Sequence, residues 1–158
     1  MAANFAHNSV WKTSDAIFAT VFLLGLALHF VPSLSLTFPI PATLRVVVGA
    51  ALLWVGVIVV AFAKYGLKHA GQPAAPGKPT TQIVETGIYR FSRNPLYLGL
   101  VFVLVGLSLL VNIAWWAILT LPLFFTLQYL LIIPEEQYLL SRFGAQYAAY
   151  KARVRRWL

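Results

Sequence analysis

Long apolar runs, separated by shorter polar stretches, dominate the sequence and predict membrane helices. Two such runs cover residues 16–31 and 44–63. A third run extends over residues 98–133 with few polar interruptions; as one helix it would be about 54 Å long, whereas the hydrocarbon core of a bilayer is about 30 Å thick. It must therefore fold back, and Asn112, a residue that tolerates turn geometry, marks the predicted apex within VNIAWW. The pattern predicts four spans, at about residues 16–31, 44–63, 96–111 and 113–133.

The polar tail that begins at Pro134 predicts a helix lying on the membrane surface. Pro134 is expected to kink the chain where the last span leaves the membrane, because proline cannot continue the hydrogen-bond ladder. Beyond it, aromatic and apolar residues recur at helical spacing, while the basic residues lie largely off that stripe. A basic helix with one apolar face is typical of the interface. The stripe consists of Phe143, Tyr147, Tyr150, Val154 and Trp157.

Composition supports a membrane protein of one domain. Of the 158 residues, 60% are hydrophobic and only 10% are charged, whereas soluble domains carry about 25% charged residues. The length leaves no room for a second core, so residues 1–158 are interpreted as a single domain. The sequence has no cysteine and no metal-ligand motif, so no metal site is predicted. The predicted fold class is an all-α polytopic membrane protein, with about four transmembrane helices plus a C-terminal amphipathic interfacial helix.

The distribution of positive charge predicts the orientation in the membrane. The net charge is +8, but the basic residues flank apolar runs instead of forming a soluble patch, so binding to nucleic acid is not expected. With a cytosolic N-terminus, all of the 12 lysines and arginines except Arg45 fall on the cytosolic side. The sequence thus predicts a multi-pass integral membrane protein with both termini in the cytosol. The first run lacks a basic start and a clear cleavage site, and is interpreted as a span rather than a signal peptide.

A polar cluster stands directly before the third span, in the segment GIYRFSRNPLYLG. In a structural interpretation, Asn94 caps the helix, Pro95 occupies its first turn, and the arginines and tyrosines lie at the membrane interface. In a functional interpretation, the helix N-terminus and the arginines attract an anion, while the tyrosines offer faces for a flat ring or a sulfonium. Both interpretations use the same residues: Tyr89, Arg90, Arg93, Asn94, Pro95 and Tyr97.

A second cluster, Glu135 and Glu136, holds two of the four acidic residues of the chain and follows the last span. These acids could stabilise the N-terminus of the next helix, or they could bind an ammonium group. An acid near hydrocarbon is costly, so we expect the pair to have a role. Together the two clusters would suit a small zwitterion that also carries an aromatic base.

Two segments resemble the isoprenylcysteine carboxyl methyltransferase family and the related phospholipid N-methyltransferases: TTQIVETGIYRFSRNPLYLG and PEEQYLLSRFGAQYAAYKARVRRWL. The resemblance implies a membrane enzyme that binds S-adenosyl-L-methionine from the cytosol and methylates a lipophilic acceptor entering from the bilayer, with S-adenosyl-L-homocysteine as product. It implies a cofactor site built from residues 79–99 and 134–158, where Tyr97 and Gly99 shape the helix end. The catalytic residue is unassigned, with Glu135, Glu136 and Arg93 as candidates. The implied cofactor-binding residues are Thr81, Gln82, Ile83, Val84, Tyr89, Asn94, Pro95, Leu96, Tyr97 and Glu135.

Two positions depart from the family pattern. Many members have His where Asn94 stands, and Asn cannot titrate as a base. The prenylcysteine enzymes carry an Arg, associated with the substrate carboxylate, where this chain has Leu131. Two classes of acceptor therefore stay open. One is an isoprenylcysteine-like carboxylate or another small lipophilic acid or thiol, and the other is a phospholipid amine. A non-catalytic membrane interaction protein that retains the fold is the alternative from a different class.

Overall fold

The computed structural model describes residues 3–72 and 80–158, with side chains from Ser14 onward, and these residues form helices and loops without strands. The all-helical prediction is therefore confirmed for this part of the chain. Pro79, with which the predicted cofactor segment begins, lies outside the described residues. Short 3-10 helices cover Pro32–Leu34 and Gly87–Arg90, and a π-helical turn covers Leu127–Ile132. The α-helices are α1 (Ala3–Phe30), α2 (Ala42–His69), α3 (Pro95–Val111), α4 (Ala114–Thr126), α5 (Ile133–Phe143) and α6 (Ala145–Arg153).

Within the described residues, two helical stretches are long and apolar enough to cross a membrane: α2, and the continuous stretch Ala114–Phe143. Two shorter apolar helices, Ser14–Phe30 and α3, coincide with the other predicted spans. α2 extends past the predicted end at residue 63 as far as His69. The apolar pattern missed this extension because exposed lysines such as Lys64 and Lys68 can continue a helix while holding their ammonium groups in water.

The predicted turn between the third and fourth apolar segments is confirmed at Asn112. α3 ends at Val111, Asn112 has a φ of 62° in the left-handed region, and α4 begins two residues later at Ala114. Asparagine is one of the few residues that adopts this conformation readily. Its Oδ1 also accepts a hydrogen bond from the Phe38 amide at 3.0 Å, which fastens the turn to the loop before α2.

The helix continues through Pro134, where a kink was predicted. The six residues before α5 form a π-helical turn, Leu127–Ile132, and Pro134 occupies the first turn of α5. Proline lacks an N–H and its ring crowds the carbonyl of the fourth preceding residue. A π turn moves the local hydrogen bonds to i→i+5 spacing, which accommodates the proline within one helical stretch.

α2 and α3 pack in antiparallel directions with their backbones in direct contact. Gly49 on α2 faces Gly106 on α3, and Gly56 faces Gly99. On each helix the two glycines are one heptad apart. A Cβ atom on Gly56 would lie 2.6 Å from the Gly99 carbonyl oxygen, so no side chain fits there. Gly99 therefore packs against α2, whereas the resemblance implied that it shapes the helix end at the site.

The tail differs from the single interfacial helix that the sequence predicts. Gly144, with a φ of 50°, separates α5 from α6, and α6 ends at Arg153. Tyr147 and Tyr150, expected on a membrane-facing stripe, are only 2% and 4% exposed because they pack inside the protein. Helical spacing identified the apolar residues correctly, but it carries no information about which surface they cover.

Arg45 on α2 forms hydrogen bonds with the C-terminal end of α3. Its Nη1 donates to the carbonyl oxygens of Leu109 (2.8 Å) and Leu110 (3.2 Å). These carbonyls belong to the last turn of α3, where backbone acceptors lack helical partners and a cation is favoured by the helix dipole.

Replacing this guanidinium tests its contribution to stability. We expect Arg45→Gln to lower the free energy of unfolding by about 1.5 kcal/mol, the scale of a hydrogen bond to a charged group. The measurement is the unfolding midpoint in detergent. Lys64→Gln, a change at an exposed lysine of the same helix, is the control and should leave the midpoint unchanged. Equal midpoints for both variants would contradict the capping role.

Candidate functional site

A pocket opens where the loop before α3, the start of α3, and α5 with α6 meet. All of the residues implied to bind a cofactor line it except Thr81, and the catalytic candidates Arg93 and Glu136 line it as well. The sequence-predicted residues are therefore brought together, although they come from segments about forty residues apart along the chain. Those lining the pocket are Gln82, Ile83, Val84, Tyr89, Asn94, Pro95, Leu96, Tyr97 and Glu135.

The first wall is the non-helical segment that begins at Thr80, which is hydrogen-bonded to residues at and just after the end of α2. Gln72 Nε2 donates to Thr81 Oγ1 at 2.7 Å, and the Thr81 amide donates to Gln72 Oε1 at 2.8 Å. Gln82 Nε2 donates to the Ala70 carbonyl oxygen. Thr81 thus holds the segment in place, and its neighbour Thr80 lines the pocket together with Gln72. Sequence reasoning missed Gln72, since no pattern links it to a segment nine residues away.

Buried tyrosines form the second wall. Tyr89 is 8% exposed, its hydroxyl donates to the Ala63 carbonyl oxygen at 3.4 Å, and its own carbonyl accepts from the Tyr150 hydroxyl at 2.8 Å. Burial raises the pKa of Tyr89 and Tyr150 above the ordinary range, and raises the pKa of Tyr147 to about 12. These phenols therefore stay protonated at neutral pH, and the hydroxyls of Tyr89 and Tyr150 donate hydrogen bonds. None is suited to serve as a base. Tyr147 and Tyr150 also line the pocket; they lie within the implied site segment 134–158, but sequence reasoning did not name them as binding residues.

The third wall is the N-terminus of α3. Asn94, which was predicted to cap this helix, makes no side-chain cap. Its Nδ2 instead donates to the Arg156 carbonyl oxygen at 3.1 Å. Pro95 has no N–H, so the amides of Leu96 and Tyr97 are the first donors of the helix, and no side chain of the described residues caps them. An uncapped helix start carries partial positive charge and favours an anion.

The two adjacent acids have different surroundings. Glu136 is 7% exposed at its side chain and forms ion pairs with Arg93 (2.8 Å), Arg156 (2.8 Å) and Lys151 (3.6 Å). Its hydrogen bond with Arg156 raises the pKa of that guanidinium above its usual value. Glu135 lines the pocket, and among the described residues no donor is hydrogen-bonded to its carboxylate. The pair thus consists of one acid that is engaged by basic side chains and one that lines the pocket without a hydrogen-bond partner among the described residues.

The position of the family's arginine is occupied by a core residue. Leu131 is 1% exposed and packs in the central hydrophobic cluster with Leu127 and Ile132. Arg93, the other cation near the pocket, is engaged by Glu136 and by the Lys151 carbonyl oxygen, to which its Nη1 donates at 2.9 Å. Arg93 and Glu136 thus line the pocket as members of one ion pair, while the Glu135 carboxylate and the positive end of α3 face it without such a partner among the described residues.

Comparison with known proteins identifies a matching family and a curated relative. The chain is 35% identical over 108 residues to the nickel-cobalt-cadmium resistance protein NccN of Alcaligenes xylosoxydans xylosoxydans, an alignment that covers 68% of this chain and 49% of that protein. The chain thus spans about half the length of this relative. No solved structure matches the chain. The family model described as phospholipid methyltransferase matches residues 44–146, well over half of the 158 residues. The chain therefore belongs to the phospholipid methyltransferase family, and the family indicates a membrane methyltransferase.

Proposed function

We propose that this protein transfers a methyl group from S-adenosyl-L-methionine to a lipophilic acceptor. The observation that carries the proposal is the meeting, in one pocket, of an uncapped helix N-terminus and an acid without a hydrogen-bond partner among the described residues. The family match supports a methyltransferase but leaves the cofactor and the acceptor to be tested.

The residues of the pocket fit the methionine part of the cofactor. That part carries an ammonium and a carboxylate. The free carboxylate of Glu135 would take the ammonium, and the amides of Leu96 and Tyr97 at the start of α3 would take the carboxylate. Aromatic faces such as that of Tyr89 suit a sulfonium or a flat base. Of the cofactor-binding residues implied by resemblance, we retain those that line the pocket.

The reaction requires little chemistry from the protein. Bound S-adenosyl-L-methionine would supply an electrophilic methyl group. The chain's own residues would hold the acceptor in line with it and exclude water, and alignment of this kind contributes a large share of rate enhancement. An acid or thiolate acceptor needs no base, whereas an ammonium acceptor must first lose a proton. Because Glu136 is held by three cations, Glu135 is the acid available for either ligand binding or proton transfer.

We propose that α1 and α3 cross the membrane beside the two longer apolar stretches, giving four spans and cytosolic termini. Large apolar side chains along α2, such as Trp54, Ile58 and Phe62, are more than about two fifths exposed, as expected of a surface that faces lipid. Lys64 and Lys68 lie at the end of α2 near the pocket, while Arg45 lies at the opposite end. This charge asymmetry favours a cytosolic pocket. The acceptor would enter from the bilayer.

The pocket's charges bear on the acceptor class. A free carboxylate acceptor would need a cation, and Leu131 replaces the arginine that the prenylcysteine enzymes provide. We therefore favour a neutral or thiol acceptor, or an amine, over an isoprenylcysteine-like carboxylate. The name of NccN refers to metal resistance in that protein. Within the described residues no three His, Asp or Glu side chains cluster in a way that would hold a metal ion, so we propose no metal-binding role.

Calorimetric titration of the detergent-solubilised protein with S-adenosyl-L-homocysteine tests the proposal. We expect saturable binding with micromolar affinity, because one ion pair and a helix N-terminus meet a largely apolar pocket. Adenosine and methionine, titrated separately, should each bind far more weakly. A folded, monodisperse sample that takes up no ligand would overturn the proposal and favour a non-catalytic interaction protein.

A further inference from the structure

We propose that residues 154–157, here called the strap, hold the start of α3 open for the cofactor, with Glu136 as the buried positioning residue that fixes the strap. The inference rests on the proposed function for its effect on the cofactor. The strap lies beyond residue 146, at which the family match ends. Its contribution therefore follows from contacts in the structure alone.

Backbone contacts join the strap to the segment before α3. α6 ends at Arg153, and Val154 is extended, with φ −119° and ψ 131°. The Arg93 amide donates to the Arg155 carbonyl oxygen at 3.0 Å. Ser92 Oγ and Asn94 Nδ2 both donate to the Arg156 carbonyl oxygen, at 3.3 Å and 3.1 Å. Two consecutive strap carbonyls therefore receive donors from three consecutive residues of the site.

The contact with Asn94 connects the strap to ligand binding. Asparagine at this position normally turns its side chain onto the amides of the first helical turn. Here the Asn94 side-chain amide donates to the Arg156 carbonyl oxygen instead, and Asn94 does not cap α3. The strap thus keeps Asn94 away from the amides that the proposed function assigns to a carboxylate.

Glu136 fixes the strap from the other side. Arg156 donates to both carboxylate oxygens, from Nε at 3.0 Å and from Nη2 at 2.8 Å, and Arg93 Nη2 donates to Oε1 at 2.8 Å. The carboxylate and Arg93 are nine-tenths buried, at 7% and 8% exposure of the side chain. Bidentate, charge-assisted contacts of this kind fix geometry strongly. Glu136 therefore links α5, the segment before α3 and the strap in one cluster.

The end of the strap is anchored on the helix that leads into the site. Trp157 Nε1 donates to Gln128 Oε1 at 3.2 Å, and its ring lies 4.6 Å from that of Phe124. The strap consequently bridges α4 and its π-helical turn to the loop before α3. A ligand that needs both Glu135 and the α3 amides would depend on this bridge for their relative position.

Arg156→Gln and Arg155→Gln form a matched pair that tests the strap. Both remove a guanidinium, but only the Arg156 side chain contacts Glu136, whereas the Arg155 side chain is exposed and only its carbonyl is used. We expect Arg156→Gln to weaken S-adenosyl-L-homocysteine binding by about tenfold or more, as loss of preorganisation does, and Arg155→Gln to change it less than about twofold. Arg156→Lys, which keeps one charged donor, should restore part of the affinity.

Amide hydrogen exchange in the segment of residues 92–97 provides a second readout that does not depend on the cofactor. Exchange should rise in Arg156→Gln and stay at the wild-type level in Arg155→Gln, at a temperature at which both variants are folded. Equal exchange in the two variants would overturn the strap. If the wild-type protein binds no S-adenosyl-L-homocysteine, the proposed function fails while this exchange comparison still decides the strap. Should Arg156→Gln not fold, Arg156→Lys is compared with Arg155→Lys by the same two measurements; we expect the same direction of change with a smaller loss of affinity, and equal exchange in the two variants would again overturn the strap.

Discussion

Glu135→Gln is expected to weaken binding of S-adenosyl-L-homocysteine by about 10- to 100-fold without lowering the unfolding midpoint. The expected loss corresponds to a hydrogen bond between charged groups, about 1.5–3 kcal/mol. The midpoint should hold because no described residue is hydrogen-bonded to the Glu135 carboxylate, so the amide replaces an acid that the fold does not use. Calorimetric titration and thermal unfolding in the same detergent measure the two quantities.

Glu136→Gln is the matched control, since it is the same change at the adjacent residue. Its carboxylate is buried among Arg93, Lys151 and Arg156, and removing one member of a buried ion cluster costs about 3 kcal/mol or more. The unfolding midpoint should therefore fall for Glu136→Gln and hold for Glu135→Gln. A midpoint that falls equally in both variants, or an unchanged affinity in Glu135→Gln, would refute the division of roles between the two acids.

The sequence was sufficient to predict the features that depend on local chemistry. The turn at Asn112 follows from a run too long for one crossing and a residue that accepts a left-handed conformation. The gathering of Tyr89, Pro95 and Glu135 around one pocket followed from a helix start, a polar cluster and a family resemblance. In each case the signal lies within a few neighbouring residues or in a recognised pattern.

The features that sequence reasoning missed depend on contacts between distant segments. Asn94 has the residue type of a helix cap, but a carbonyl 62 residues away takes its side-chain amide. Glu136 and Arg156 are twenty residues apart, and the break at Gly144 that brings them together is invisible to helical spacing. The tyrosine stripe was visible, but Tyr147 and Tyr150 are buried inside the protein, where the Tyr150 hydroxyl donates to the Tyr89 carbonyl oxygen.

The glycines of α2 and α3 are an intermediate case. Their heptad spacing is present in the sequence, and small residues in membrane helices commonly mark close packing. What the sequence lacks is the pairing of each glycine with its partner on the other helix. The structure shows this pairing, and the contact between the two helices also affects the pocket. Leu67 in the last turn of α2, Gln72 just after that helix and Pro95 at the start of α3 all line the pocket, so the contact between the two helices fixes their relative positions.

Gly56→Leu is therefore expected to abolish the folded protein or to destabilise it by more than about 3 kcal/mol, the upper range of overpacking. The added Cβ would lie 2.6 Å from the Gly99 carbonyl oxygen and 2.7 Å from the Val103 amide nitrogen, and backbone atoms cannot rotate away. The yield of monodisperse protein and its unfolding midpoint measure the effect. Ala51→Leu enlarges a side chain at an exposed position of the same helix and should keep the yield and the unfolding midpoint at the wild-type level.

Normal yield and midpoint in Gly56→Leu would show that α2 and α3 can separate without loss of the fold. Ligand binding in such a variant would further show that the pocket does not depend on their contact.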